Sequence, residues 1–206
     1  MRWTLEQTDS FARREYFYGI IKELFRKSIH LCTGFVPLFL TINTNLTRIL
    51  LFVALVSYIC MEFLRHSGLN VPFVSKITAL AARKRDENKF VLGPVTLVCG
   101  ILISSFLWQP YHAAVGIYAL AFGDGLASLG GKLFGRVEIP FTRGKTVEGS
   151  LTCFLAIFCV TFLHSGKVYE SFLIALVGMF IELLPLKDFD NLLIPILLGG
   201  FSTLIA

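Results

Sequence analysis

Seven apolar runs divide this chain, and polar loops separate them. A helix needs about 20 apolar residues to cross a bilayer unaided, and several of the runs are shorter than that. We predict an all-α, polytopic transmembrane helical bundle of about seven spans. The runs cover residues 28–42, 48–64, 90–108, 111–131, 149–164, 170–185 and 191–206.

The composition is typical of a membrane protein. Hydrophobic residues make up 55% of the chain and charged residues only 16%, whereas soluble domains average about 45–50% and about 25%. A length of 206 residues suits one domain. We predict a single membrane-embedded catalytic domain over residues 1–206, in which residues 1–27 form a cytoplasmic segment able to lie on the membrane surface.

The cysteines argue against a disulfide framework or a zinc site. Their number is odd, each lies in an apolar run, and no CxxC pair occurs. We expect all of them to be buried as small hydrophobic side chains. They are Cys32, Cys60, Cys99, Cys153 and Cys159.

Lysine and arginine alternate between rich loops and poor loops along the chain. Because cytoplasmic loops carry the excess of these residues, we predict that the N-terminus and the loops at 65–89, 132–148 and 186–190 are cytoplasmic. The first residues include acids and fit neither a secretory signal nor a transit peptide. We therefore expect an integral, multi-pass membrane protein, with the plasma or inner membrane favoured.

The net charge of +5 follows from these loops. Because the cations are divided among short membrane loops without a recognition motif, we do not expect nucleic acid as a partner. The RGKT at 143–146 imitates the end of a P-loop, but Ile139 stands where that motif requires glycine. A P-loop is therefore excluded.

The stretch FGDGLASLGGKLFGR at 122–136 places Asp124 between two glycines, directly after an apolar run. An aspartate near the bilayer centre costs about 2.5–3.5 kcal/mol. We therefore expect Asp124 either beside a group that offsets this cost or at a wet, protein-lined mouth. Gly130 and Gly131 would permit close approach of a ligand or close packing of helices.

The next stretch, IPFTRGKTVEGS at 139–150, continues a segment that sets cations beside a carboxylate. Carboxylate oxygens hold a hard metal such as Mg2+, while lysine and arginine hold phosphates. The pattern indicates a magnesium–phosphate site, although Thr146 and Glu148 would also serve as a helix cap and a favourable first-turn acid. The cations of this segment are Lys132, Arg136, Arg143 and Lys145.

The stretch ELFRKSIHL at 23–31 precedes the first predicted span on the same side of the membrane. Arg26 and His30 share a helix face there, and Lys27 lies beside them. The cations would alternatively anchor the topology, and His30 would alternatively make a structural hydrogen bond.

The stretch IELLPLKDFDNLLIP at 181–195 groups three acids with Asn191. Carboxylates at the membrane edge are functional candidates, with a hydrated turn as the alternative. A fourth charged stretch, ARKRDENKF at 82–90, is most simply a solvated loop, although it would also permit a nucleotide contact. The three acids are Glu182, Asp188 and Asp190.

All four stretches fall on the predicted cytoplasmic side. Taken in their order along the chain, they resemble the CTP-dependent lipid kinases, namely phytol kinase, dolichol kinase and the CTP-dependent diacylglycerol kinases. A more distant resemblance is to phosphatidate cytidylyltransferase. The likeness runs from about residue 24 to about residue 200 and rests on RKSIH, RKRDENKFVLGP, GDGLASLGGKLFGRVEIPFTRGKTVEGS and ELLPLKDFDNLLIP.

The resemblance implies transfer of the γ-phosphoryl group of CTP, or of another nucleoside triphosphate, to a lipid alcohol taken from the bilayer. A prenol such as phytol, geranylgeraniol or a polyprenol is weakly favoured over diacylglycerol. The His-Gly-Gly and Asp-Arg-x-Asp motifs of the cytidylyltransferases are absent, which argues for phosphoryl transfer over CDP-lipid synthesis. A transporter and a structural membrane protein stay open as alternatives, and so does a homodimer.

The resemblance also implies roles for individual residues. Catalytic roles fall to Asp124, Lys145 and Asp190, and the metal ligands for Mg2+ are expected to be Asp124, Glu148 and Asp190. The proton acceptor is either His30 or Asp190, and Phe189 separates Asp188 from Asp190 where the family often has adjacent acids. Nucleotide binding falls to Lys27, Arg136, Arg143, Lys145, Thr146 and Asn191.

The predicted orientation has a direct test. In a variant with all five native cysteines replaced by alanine, Arg143→Cys should react with a membrane-impermeant thiol reagent only after the cells are opened, because the 132–148 loop is cytoplasmic. Gln109→Cys, in a loop without cations, should react in intact cells. Labelling of position 143 from outside would overturn both the orientation and cytosolic access of the nucleotide.

Overall fold

The computed structural model describes residues 5–68, 78, 89–142 and 144–206, and nearly all of them are helical. Within these ranges the β pairing consists of one isolated bridge, between Glu138 and Thr146. The prediction of an all-α fold is therefore confirmed for the described part of the chain.

Nine α-helices and one π-helical segment follow one another along the described residues. They are α1 (Leu5–Thr33), α2 (Val36–Ile42), α3 (Thr44–His66), α4 (Gly93–Leu107), α5 (Pro110–Tyr118), the π-helical segment (Ala119–Asp124), α6 (Gly125–Phe134), α7 (Val147–Ser165), α8 (Val168–Leu183) and α9 (Asp190–Ile205).

Three helical stretches of the described chain are long and apolar enough to cross a membrane: Thr44–His66, Pro110–Phe134 and Val147–Ser165. The shorter helices α4 and α9 are also apolar. These lengths agree with a membrane protein, while the count of seven spans and the side of the N-terminus stay predictions.

The first predicted span, residues 28–42, is not one continuous helix. α1 ends at Thr33 and α2 starts at Val36, with a turn at Gly34 and Phe35. Pro37 explains the break, because proline fits the first turn of a helix but cannot donate to the ladder of a continuing one.

The Pro110–Phe134 stretch is the interior helix of the bundle. In the most apolar 18 residues of this stretch, 72% are buried. The corresponding fraction for Thr44–His66 is 11%, so that helix presents most of its surface outward. Ile117 and Leu120 are fully buried, and they belong to one core cluster with Ile157 of α7 and Leu198 of α9. Asp124 is therefore carried on the most enclosed helix of the fold.

Glycines allow α7 to pack closely against the helices on either side of it. A Cβ atom at Gly123 would lie 2.7 Å from Cγ1 of Ile157, and one at Gly178 of α8 would lie 2.6 Å from Cδ1 of the same side chain. At Gly130 a Cβ would collide with the side chain of Thr152. The helix-packing alternative for Gly130 is thus confirmed.

The cysteines are all free, as expected, but their predicted burial is mostly wrong. Cys153 is buried and Cys99 is half-buried, whereas Cys32, Cys60 and Cys159 are exposed on the surface of the bundle. The reason is that these apolar helices are hydrophobic on their outward faces too, so an apolar run does not fix which side of the helix is inside.

The contact between Gly123 and Ile157 generates a stability prediction. Gly123→Ala should lower the melting temperature of the purified protein, because overpacking a core costs about 1–3 kcal/mol. The double variant Gly123→Ala/Ile157→Ala should recover part of the loss caused by the added methyl group, relative to Ile157→Ala alone. Gly19→Ala is the matched control, since a Cβ there meets nothing within 4 Å; equal effects at both glycines would contradict the packing argument.

Candidate functional site

One cavity of about 260 Å³ lies among α1, the π-helical segment, α6, the loop after α6, and helices α7, α8 and α9. Its lining is unusually charged for an apolar chain, with four cations and four acids. The cations are Arg26, Lys27, Lys132 and Lys145, and the acids are Glu23, Asp124, Glu182 and Asp190. Residues from the stretches at 23–31, 122–136, 139–150 and 181–195 therefore line one cavity, whereas most of the 82–90 stretch lies outside the described residues.

Asp124 is buried, and Lys27 offsets the cost of its charge. Nζ of Lys27 donates to Oδ2 of Asp124 at 2.7 Å and to its main-chain oxygen at 3.0 Å. Nδ1 of His30 lies 3.1 Å from the same Oδ2, without meeting the geometry of a hydrogen bond. Lys27 itself is only 2% exposed, so the pair is shielded from solvent and each charge depends on the other.

The local backbone explains how Asp124 reaches this position. It is the last residue of the π-helical segment, whose wider turns are frequently found at functional sites. Gly123 and Gly125 on either side let α7 and α1 approach, since a Cβ at Gly125 would lie 3.3 Å from Leu31. The carboxylate thus meets Lys27 and His30, which are 97 and 94 positions away in sequence.

A second charged network joins α1 to α6 at the cavity rim. Buried Glu23 accepts from Arg26 at 2.5 Å, from Ser128 at 3.1 Å and from Lys132 at 2.9 Å. Burial alone would raise the pKa of Glu23, but the charge of Arg26, the hydrogen bond from Lys132 and the nearby Lys27 outweigh it and lower that pKa. Glu23 therefore stabilises the docking of α1 at neutral pH, and the effect is lost as the pH falls through the lowered pKa.

A third ion pair links the loop after α6 to α8. Nζ of Lys145 lies 2.9 Å from Oε1 of Glu182, which is buried in the last turn of α8. The loop is held at Lys145, whose main-chain oxygen accepts from Ile139 at 2.8 Å. Thr146 then caps α7 by accepting from the main chain of Gly149, which confirms the predicted capping role.

The two acids near the start of α9, Asp188 and Asp190, have different positions relative to the cavity. Asp190, at the first position of α9, lines the cavity, and Asp188 does not. Of the two acids that the sequence left open, Asp190 is therefore the one that faces the cavity.

Other predicted site residues are described away from the cavity lining. Oε2 of Glu148 accepts weakly from the main chain of Val137 at 3.4 Å, and Nδ2 of Asn191 donates to Oγ1 of Thr96 at 3.3 Å. Arg136 is exposed in the loop, and His30 contacts Asp124 without lining the cavity. Arg143 falls outside the described residues, as does most of the 82–90 stretch. Roles of these residues in binding stay predictions.

Sequence reasoning did not single out Glu23, and it named Glu182 only as one acid of a candidate cluster without a specific role, although both residues lie on the cavity wall. A usable signal for Glu23 was its spacing of four from Lys27, which puts both on one helix face. For Glu182 the signal that distinguishes it from Asp188 and Asp190 was its position inside the apolar stretch IALVGMFIEL.

The donors on this wall suit a metal that arrives with phosphate better than a metal held by protein alone. No group of three or more His, Cys, Asp or Glu that could hold a metal occurs among the described residues. Mg2+, however, is usually bound through one or two carboxylates together with substrate phosphates. Asp124 and Asp190 supply such carboxylates on one cavity, and lysines beside them suit phosphate oxygens. The site therefore fits a magnesium–nucleotide complex.

Comparison with known proteins points to the same class, the lipid-alcohol kinases. The chain is similar to probable phytol kinase 1 of rice (26% identity over 89% of this chain and 67% of the rice protein). It is also similar to phytol kinase 1 of Arabidopsis thaliana, at 26% identity over 86% of this chain and 64% of that protein. The farnesol kinase of Arabidopsis thaliana is 24% identical over 82% of this chain and 61% of its own length.

These matches confirm the resemblance to the lipid-alcohol kinases. The chain spans about two thirds of the length of the curated phytol kinases it matches, and all three proteins are named as chloroplastic. No family model matches the chain, and no solved structure does.

The buried pair at the centre of the site can be tested by a double-mutant cycle. Lys27→Met and Asp124→Asn should each destabilise the fold strongly, since breaking a buried pair costs about 3–5 kcal/mol. The double variant should lose clearly less than the sum of the two, as measured by thermal unfolding in detergent.

The more exposed pair of Lys167 and Glu170 provides the control for this cycle. A cycle with Lys167→Met and Glu170→Gln should show a much smaller coupling, because solvent screens an ion pair on a helix surface. Additive losses at Lys27 and Asp124 would contradict the proposed dependence of one charge on the other.

Proposed function

We propose that this protein is a membrane transferase, a lipid-alcohol kinase that moves the γ-phosphoryl group of CTP onto a prenol-type alcohol. The observation that carries the proposal is that Asp124, Asp190 and Lys145 line one cavity of an apolar helical bundle. The names of the similar proteins, phytol kinase and farnesol kinase, support the reaction class and a prenol acceptor. CTP as donor rests on the sequence resemblance.

The acceptor is expected to reach the cavity from the bilayer. Long prenyl chains dissolve in lipid, and the apolar outer faces of α3 and α7 are compatible with a protein surrounded by lipid. We propose a multi-pass protein of the plasma or inner membrane, with the cavity opening on the cytoplasmic side where nucleotides are present. Diacylglycerol is kept as a second acceptor class.

The proposed reaction forms one bond and breaks one. The oxygen of the lipid hydroxyl attacks the γ-phosphorus, the bond between that phosphorus and the β–γ bridging oxygen breaks, and CDP leaves. Asp190 accepts the hydroxyl proton in this scheme, because it lines the cavity and His30 does not. Bound Mg2+ would offset the negative charge of the phosphates, with Asp124 and Asp190 as its expected protein ligands.

The cations of the wall position the nucleotide in this scheme. Lys145 lies on a loop, is 25% exposed and can turn towards phosphate oxygens. Lys27 is enclosed and is committed to Asp124, so it orients that carboxylate rather than reaching far into the cavity. Arg26 and Lys132 at the rim add positive charge where a triphosphate would enter.

A cytidylyltransferase is the competing function, because it also uses a nucleoside triphosphate, magnesium and a lipid. The two differ in the phosphorus that is attacked. With the purified protein, γ-labelled CTP should transfer its label to phytol or farnesol, and α-labelled CTP should leave none in lipid. Appearance of α-label in a lipid product when phosphatidate is supplied would replace the kinase by CDP-lipid synthesis, and absence of nucleotide turnover would favour a transporter.

The same assay tests the choice between the two acids before α9. Asp190→Asn should reduce γ-label transfer by at least about 100-fold, in line with the usual loss of a general base. Asp188→Asn, two positions away and outside the cavity lining, should retain most of the activity. Equal loss in both variants would remove the assignment of Asp190 as the acting acid.

A further inference from the structure

We propose that Glu182 is a metal-binding residue of the nucleotide complex. This inference rests on the proposed kinase function. In the structure its carboxylate is paired with Lys145, at 2.9 Å, and both residues line the same cavity as Asp190. We infer that in the nucleotide complex a phosphate group replaces Glu182 as the partner of Lys145. The metal ion then replaces Lys145 as the partner of Glu182.

The argument starts from the burial of Glu182. Its side chain is only 9% exposed, and Lys145 is the cation that the described residues place against it. A carboxylate enclosed in an apolar helix is costly without a positive partner. Any ligand that draws Lys145 away must therefore bring another cation to Glu182.

A magnesium–nucleotide complex satisfies that condition. Phosphate oxygens compete with Glu182 for the ammonium of Lys145, which is mobile enough to exchange because its loop position leaves it 25% exposed. Mg2+ held on those phosphates brings the positive charge that Glu182 then lacks, and carboxylate oxygens are its preferred protein ligands. The exchange keeps every buried charge paired in both arrangements.

The position of Glu182 in the fold makes it a more constrained ligand than a loop acid. It lies in the last turn of α8, and Gly178 one turn earlier is in close contact with Ile157 of α7. Asp190 begins α9 after a short connection, so two carboxylates from neighbouring helix ends face one cavity. By contrast, Glu148 contacts the main chain of Val137 and does not line that cavity. Glu182, and not Glu148, is therefore the further acid that the structure places on the wall of the proposed metal–nucleotide site.

The test measures metal and nucleotide binding separately. Mn2+ binding to the purified full chain is followed by electron paramagnetic resonance in the presence of a non-hydrolysable CTP analogue, and analogue binding without metal is followed by calorimetry in EDTA. Glu182→Gln should weaken Mn2+ binding at least tenfold. It should leave metal-free analogue binding unchanged or tighter, because Lys145 loses its competitor for phosphate.

Two further variants complete the design. Glu182→Asp keeps the charge on a shorter side chain and should bind Mn2+ with intermediate affinity, which also serves if Glu182→Gln does not fold. Glu170→Gln, on the same helix but paired with Lys167 outside the cavity, should bind Mn2+ like the unmodified protein. Unchanged Mn2+ binding in the Glu182 variants would overturn the inference. Weaker metal-free analogue binding in Glu182→Gln would also overturn it, since Glu182 would then only position Lys145.

Failure of the inference and failure of the proposed function give different results. If the unmodified protein transfers γ-label but the Glu182 variants bind Mn2+ with the same affinity as the unmodified protein, the kinase function is supported and the metal-binding role of Glu182 is wrong. If the unmodified protein binds no nucleotide analogue in either condition, the proposed function falls and the inference falls with it.

Discussion

A carboxylate on the most enclosed helix of an apolar bundle needs a positive partner, and Lys27 is that partner for Asp124. Much of the surrounding structure follows from this requirement. α1 must cross beside the π-helical segment so that Lys27 and His30 reach Oδ2. Glu23 then fixes the same helix to α6 through Lys132. The chain is therefore joined at its cavity by ion pairs, although its core elsewhere is aliphatic.

The side chains of Asp124 and Lys27 therefore contribute both to the stability of the fold and to the proposed site. Asparagine keeps the volume of Asp124, but it leaves Lys27 as an uncompensated buried charge. A fall in activity after that change does not by itself separate a lost metal ligand from a lost fold. Asp190 and Glu182 are better probes of chemistry, because Asp190 begins its helix at the cavity and Glu182 has a partner on a loop.

The sequence predicts the class of the fold well, because apolar runs of this length in a chain with few charges favour membrane helices. It also predicts which segments meet, since charged clusters in an apolar chain must share a wet space. It does not predict the turn at Gly34, which depends on how Pro37 starts a new helix. Nor does it tell which acid of a cluster faces inward: Glu182 and Asp190 do, whereas Glu148 does not. Which acid faces the cavity depends on the rotation of each helix about its axis and on the path of the loop. Neither of these produces a recognisable periodic pattern in the sequence.

The Ile157 side chain of α7 packs against two glycines. One is Gly123, next to Asp124, and the other is Gly178, one turn before Glu182. A single aliphatic side chain therefore sets the separation of the two helices that carry these acids. The side-chain volumes at residues 123, 157 and 178 are therefore coupled, because a larger residue at either glycine requires a smaller one at 157. Among related sequences these three positions should change together, while the identities of their neighbours along the chain drift independently.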